Sequence, residues 1–115
     1  MAAKKTGNDG SLPSWKTLCK VDDIEIGTTK SLITDGKALC LVRTNDNFYC
    51  IDDTCSHEDY PLSSGEVDPV ACEIECDMHG SVFSLITGEP QNFPATKPVA
   101  VYKVQLLDEE VQVWI

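Results

Sequence analysis

CSHEDYPLSSGEVDPVACEIECDMHG, residues 55–80, holds both histidines of the chain, three of its six cysteines and no lysine or arginine. One residue separates Cys55 from His57, two separate Cys76 from His79, and 18 residues lie between the two pairs. Two thiols and two imidazoles suit zinc, and they also suit one kind of iron–sulfur centre. The order is Cys-x-His followed by Cys-x-x-His, not a cysteine pair followed by a histidine pair on a helix, which argues against a zinc finger. In a two-iron cluster the arrangement has a simple logic. Each loop contributes one Cys and one His, so two loops clamp a bimetallic core, one iron taking both thiolates and the other both imidazoles.

The rest of the sequence sets the context for these pairs. A chain of 115 residues fits one domain able to bury roughly two-thirds of its unfolded surface. No run reaches the ~18 apolar residues of a spanning helix, and the first residues lack an apolar signal core or twin arginines, so the expectation is a cytoplasmic protein without a membrane anchor. Six cysteines in 115 residues fall below the ~8–10 % typical of disulfide-stapled secreted chains, which favours reduced thiols and ligands. The net charge of −10 excludes a nucleic-acid surface of the usual kind and a basic membrane-binding face. Residues 44–96 contain eleven acids (Asp46, Asp52, Asp53, Glu58, Asp59, Glu66, Asp68, Glu73, Glu75, Asp77 and Glu89) and no Lys or Arg, whereas the remainder has nine bases against eight acids. The excess acid therefore surrounds the candidate ligands, either as a docking field or as a solvated face that keeps the protein soluble.

Residues 1–14 are polar and aperiodic and predict a frayed tail. From Trp15 onward short apolar or alternating runs recur between turn signals: WKTLCKV, TTKSLIT, Asp35-Gly36, ALCLVR, Asn45-Asp46-Asn47 and FYCID. CEIEC, SVFSL, Thr87-Gly88, the proline-rich QNFPATKP, VAVYKVQLL and VQVWI follow. Only VDDIEIG suggests a helical turn. The pattern predicts an all-β fold of ~8–10 short strands, with about 53–96 inserted between two halves of a basal sheet, about 15–52 and 97–115. Cys19, Cys40, Cys50 and Cys72 are expected as core thiols, and Trp15, Trp114 and Phe93 as packing residues.

The motif residues Cys55-Ser-His57, Leu62, Gly65, Cys76-Asp-Met-His79-Gly80-Ser81-Val-Phe83, Thr87-Gly88, Pro94, Pro98 and Tyr102 resemble those of Rieske proteins. The similarity is greatest to the small Rieske-type [2Fe-2S] ferredoxins of bacterial ring-hydroxylating oxygenases and covers about 15–115. The resemblance implies an antiparallel sandwich-like or barrel-like basal part carrying a cluster-binding β subdomain. It also implies that Cys55 and Cys76 bind the inner iron, that His57 and His79 bind the outer one, and that the stretch around Pro94 covers the cluster as a third loop. Two neutral imidazoles in place of two thiolates make the oxidised centre less negative and easier to reduce than an all-cysteine ferredoxin. Gly80 would let backbone amides approach the cluster sulfurs.

Respiratory Rieske proteins join their ligand loops by a disulfide; the matching positions here are Tyr60 and Met78. Ser81 matches a serine that donates to the cluster in high-potential relatives, and Phe83 replaces a donor tyrosine, so a low potential is expected. Asp77 stands where many ferredoxins have proline. The implied function is one-electron transfer from a flavin-dependent NAD(P)H ferredoxin reductase to a terminal oxygenase, by a free monomer that is not itself an enzyme. Glu58 and Asp59, next to His57, are the candidate docking acids. A small Rieske subunit of a nitrite reductase, a ferredoxin for iron–sulfur assembly and a zinc-stabilised interaction module are the alternatives.

Overall fold

A computed structural model describes residues 12–56, 59–78 and 80–115. The fold is all-β, with every strand pairing antiparallel. The strands are β1 (Trp15–Lys20), β2 (Thr29–Thr34), β3 (Lys37–Arg43), β4 (Phe48–Asp52), β5 (Glu66–Asp68), β6 (Glu73–Glu75), β7 (Val82–Ser84), β8 (Val101–Tyr102), β9 (Val104–Leu107) and β10 (Glu110–Trp114). They form three sheets, ordered β1-β10-β9, β2-β3-β4-β8 and β5-β6-β7. Short 3-10 turns occupy Val21–Asp23, within the segment expected to allow one, and Leu62–Ser64.

The four-stranded sheet is the middle layer. Along β3, Leu39, Cys40, Leu41 and Val42 are all fully buried, and their alternation sends them to opposite faces. Leu39 and Leu41 join Cys50, Ile24, Val111 and Val113 in a core shared with the β1-β10-β9 sheet. Cys40 and Val42 join Ile51, Cys55, Leu62, Ile74, Cys76, Phe83 and Leu85 in a second core. A continuous apolar run in β3, rather than the alternating one of a half-exposed strand, is what a strand covered on both faces requires.

Hairpin chemistry sets the register on either side of this layer. Asp35 and Gly36 have φ of 53° and 77° and form a two-residue turn that pairs Thr34 with Lys37. Asp108 and Glu109 do the same between β9 and β10 with φ of 51° and 68° and no glycine. The Tyr102 hydroxyl donates to Asp52 Oδ1 at 2.7 Å, pinning β8 to β4 where the chain returns to the middle sheet.

Several expectations need correction. VAVYKVQLL is not one strand: β8 pairs with β4, β9 pairs with β10, and the chain changes sheets at Lys103. Alternation alone cannot reveal such a switch, because both halves have the same period. The strand β5 was not expected, since three residues with two acids carry no apolar signal. Ser14 is already paired, exchanging backbone hydrogen bonds with Ile115 at 3.0 and 3.1 Å, so the tail ends before it; residues 1–11 lie outside the described residues. Cys40 and Cys50 are buried as expected, but Cys19 and Cys72 are half-buried at the rims of the two cores. Trp15 and Trp114 do pack, edge to face at 5.3 Å. Phe93 does not, being 82 % exposed, because its neighbours in the proline-rich stretch leave the core to Ala95 and Val99.

Gly65 follows the second 3-10 turn and passes the end of β6 so closely that a Cβ there would lie 1.8 Å from the Glu75 carbonyl oxygen. Backbone meets backbone at this point, and neither can move without breaking the β5–β6 pairing. Gly65→Ala is therefore expected to destabilise the fold by about 3 kcal/mol or more, in the upper tail of single substitutions. A chemical-denaturation series against wild type checks this.

Candidate metal centre

Cys55 and Cys76 begin two hairpin loops that close in the same way. The Cys55 amide donates to the Tyr60 carbonyl at 2.9 Å, and the Cys76 amide donates to the Ser81 carbonyl at 2.7 Å, each bond spanning five residues. The flanking pairs match as well, Thr54 opposite Pro61 and Glu75 opposite Val82. Each loop therefore presents four residues beyond its cysteine. In the second, Gly80 takes φ of 72° and its amide returns to the Cys76 carbonyl at 2.9 Å, a conformation that glycine adopts without a Cβ penalty. Cys55 is 2 % exposed and Cys76 fully buried, and both side chains belong to the same core cluster. His57, Glu58 and His79 lie outside the described residues.

The third loop ties the two hairpins together. Ser56 Oγ donates to the Lys97 carbonyl at 2.5 Å. The Ala95 amide donates to Ser81 Oγ at 3.0 Å, and the Gln91 amide donates to the Val82 carbonyl at 2.6 Å. Asn92 binds both sides of Ser81, accepting from the Val82 amide at 2.7 Å and donating to the Gly80 carbonyl at 3.1 Å. Pro94 itself is exposed and follows a cis peptide bond; the buried residue of this loop is Ala95. Ser81 is fully buried and, because its oxygen accepts from Ala95, its own hydroxyl proton remains to be donated. Phe83 is fully buried opposite Ile74, in the core that contains both cysteines.

The root of the first loop rests on Asp53, 5 % exposed. Its Oδ1 accepts from the Ser63 amide at 2.7 Å, and its Oδ2 accepts from the hydroxyls of Ser31 and Ser63, each at 3.0 Å. Its backbone accepts from the Leu62 amide at 2.6 Å and donates to the Ala38 carbonyl at 3.0 Å. Sequence reasoning missed both Asp53 and Asn92. Asp53 was counted among the surface acids, and an asparagine among prolines reads as an ordinary turn residue.

The acidic segment divides on inspection. Asp52 and Asp53 are engaged as above, and Asp68 accepts from the amides of Val70 and Ala71 at 3.1 and 3.0 Å. Glu66 faces Glu75 and Asp68 faces Glu73 across β5 and β6. Asp59 and Asp77, on the ligand loops, are exposed.

Chemically, the described half of the donor set fits a soft metal centre. Two thiols converge in one apolar core, and a coordinating cysteine is a thiolate whose burial demands a compensating cation. The remaining buried thiols are poor rivals. Burial, and then the Asp52 carboxylate, push the Cys50 thiol up to about 12. Burial, then Asp53 and Cys50, push Cys40 well up also. Both stay protonated near neutrality. Among the described residues no three His, Cys, Asp or Glu side chains converge to hold a metal elsewhere.

Comparison with known proteins agrees with this geometry. The model of the Rieske [2Fe-2S] domain matches residues 14–103. Ferredoxin CarAc of Metapseudomonas resinovorans is 37 % identical over 100 residues, covering 86 % of this chain and 92 % of that protein. The ferredoxin of carbazole 1,9a-dioxygenase from Nocardioides aromaticivorans IC177 superposes with a TM-score of 0.83 at 31 % identity, over 90 % of this chain and 97 % of that one. A complex of reduced oxygenase and oxidised ferredoxin in carbazole 1,9a-dioxygenase contains a chain that matches with a TM-score of 0.81 at 36 % identity, covering 87 % and 92 %. The chain belongs to the Rieske [2Fe-2S] domain family and is an all-β electron carrier with one [2Fe-2S] cluster as its cofactor.

Proposed function

We propose that this protein is the ferredoxin component of a multicomponent ring-hydroxylating dioxygenase, taking electrons singly from a flavin-dependent NAD(P)H ferredoxin reductase and passing them to the terminal oxygenase in the cytoplasm. The observation that carries this reading is the pair of identically closed cysteine loops meeting in one core, together with relatives named as dioxygenase ferredoxins. Cys55 and Cys76 would hold one iron from the buried side, and His57 and His79 the other. The bound group supplies a site that takes up and returns one electron. The chain's own part is to keep the two loops rigid, to exclude water behind Cys55 and Cys76, and to present one end to partners. The part from about 53 to 96 holds the group, while about 15–52 and 97–115 support it; the protein works as a monomer between encounters. Among the described residues no helix is long and apolar enough to cross a membrane.

Natively produced protein is expected to be brown, with iron and acid-labile sulfide in equal amounts and, once reduced, the low-average-g paramagnetic signal of a mixed-ligand cluster. His79→Ala should abolish that signal and loosen the ligand loops, since binding and local order are coupled. Stoichiometric zinc in a colourless sample would contradict the assignment.

Rieske centres span roughly −150 to +300 mV, and this one should lie near the low end. Phe83→Tyr would bring a hydroxyl into the core that contains both cysteine ligands and should raise the potential. Voltammetry of the loaded variant reads the shift; an unchanged or lower value counts against a missing donor as the cause.

Electron delivery should also depend on salt. Glu58 and the exposed Asp59 directly follow His57 in the sequence, and opposite charge on a partner would speed encounter at low ionic strength. Since the Debye length is about 8 Å at physiological salt, added salt should slow reduction by the cognate reductase in stopped-flow mixing. Glu58→Gln with Asp59→Asn should flatten that dependence. Rates indifferent to both would assign these acids to solubility alone.

A further inference from the structure

We infer that Asp53, the buried carboxylate at the root of the first ligand loop, acts as a positioning residue for Cys55 and holds the reduction potential of the centre down through its fixed negative charge. The inference rests on the reading of Cys55 as a ligand. Two residues of extended chain span at most about 7 Å, so the Asp53 and Cys55 backbones lie within that distance of each other, and both residues are buried. Its partners are the two hydroxyls of Ser31 and Ser63 and the Ser63 amide, all neutral. The ion pair formed among the described residues, Lys16 with Asp35, lies elsewhere. A charge whose partners among the described residues are neutral dipoles keeps most of its field, and a field of this sign disfavours the arrival of another electron. The backbone of Asp53 ties it to the core that contains both cysteine ligands, accepting from the amide of Leu62, a member of that core. The cross-links from Asp53 to β2 and to the Leu62–Ser64 turn leave it no room to swing out to solvent.

Asp53→Asn separates charge from scaffolding. The amide oxygen can keep the Ser63 N–H bond, and the amide nitrogen can donate to both serine hydroxyls, which accept as readily as they donate. The test uses the full-length, cluster-loaded protein, with the midpoint potential and the paramagnetic spectrum as readouts. The potential is expected to rise by about 59 mV, a tenfold shift in the one-electron equilibrium, with unchanged g-values. Because the charge is buried, the difference from wild type should persist at high salt, unlike any effect of the surface acids. A loaded variant with the wild-type potential overturns the inference, as does a rise that salt abolishes. Should Asp53→Asn fail to load, Ser31→Lys decides: Ser31 is exposed on edge strand β2, and an ammonium there pairs with Asp53 without touching the loop. Ser31→Lys is expected to raise the potential several-fold in equilibrium terms while Ser31→Gln leaves it in place; no rise with lysine, or an equal rise with glutamine, overturns the inference. Failure of Cys55 as a ligand would show separately, as a cluster that survives Cys55→Ala.

Discussion

Double-sided burial of β3 is the constraint on which the rest of the molecule depends. Leu39 to Val42 are fully inaccessible, and consecutive residues face two different cores. Among the described residues no α-helix covers either face, so the cover comes from the two small sheets and the turns and loops beside them. Truncating one buried leucine of this kind costs about 2–5 kcal/mol, a large part of the ~5–15 kcal/mol that keeps a domain folded. The middle sheet is therefore the rigid member, and the two outer layers are held in place by it.

The ligand loops inherit their precision from that layer. Cys55 and Cys76 lie in the core that β3 builds with Cys40 and Val42, so each loop is anchored at its first residue by packing and at its sixth by a backbone hydrogen bond. The third loop adds further ties, with Asn92 bracketing Ser81 and Ser56 reaching Lys97. Asp53 closes the network from beneath. Among the described residues no buried side-chain polar atom lacks a partner, so order around the centre costs no unsatisfied groups.

Much of this was legible in the sequence, and the limits have physical causes. The Cys-x-His and Cys-x-x-His pairs left zinc and an iron–sulfur centre open by spacing alone, and it was the resemblance of the wider motif, with Gly80, Ser81 and Pro94, that pointed to the family. Short apolar or alternating runs with Asp-Gly and Asn-Asp turns marked an all-β fold, although they did not single out β3 as the strand covered on both faces. The change of sheet at Lys103 left no trace, since strand period does not encode the partner strand. Phe93 misled for a related reason: its apolar character says nothing about whether a neighbouring turn aims it inward. Asp53 was hidden by its company, because a buried carboxylate among ten other acids is distinguished only by its three neutral donors, supplied by Ser31 and Ser63, 22 and 10 residues away in sequence.

The pairing of β1 with β10 joins Trp15 to Trp114 and leaves the two described ends of the chain side by side. During synthesis β1 emerges early and has no partner until β10 leaves the ribosome. The core shared by Leu39, Leu41, Val111 and Val113 cannot close before then, and pairings between such distant residues form slowly. The loop that braces both cysteine hairpins is likewise made late. The cysteine ligands belong to the other core, which is filled by Ala95 and Val99, so in the nascent protein they are not sheltered from oxidants until that stretch has followed them.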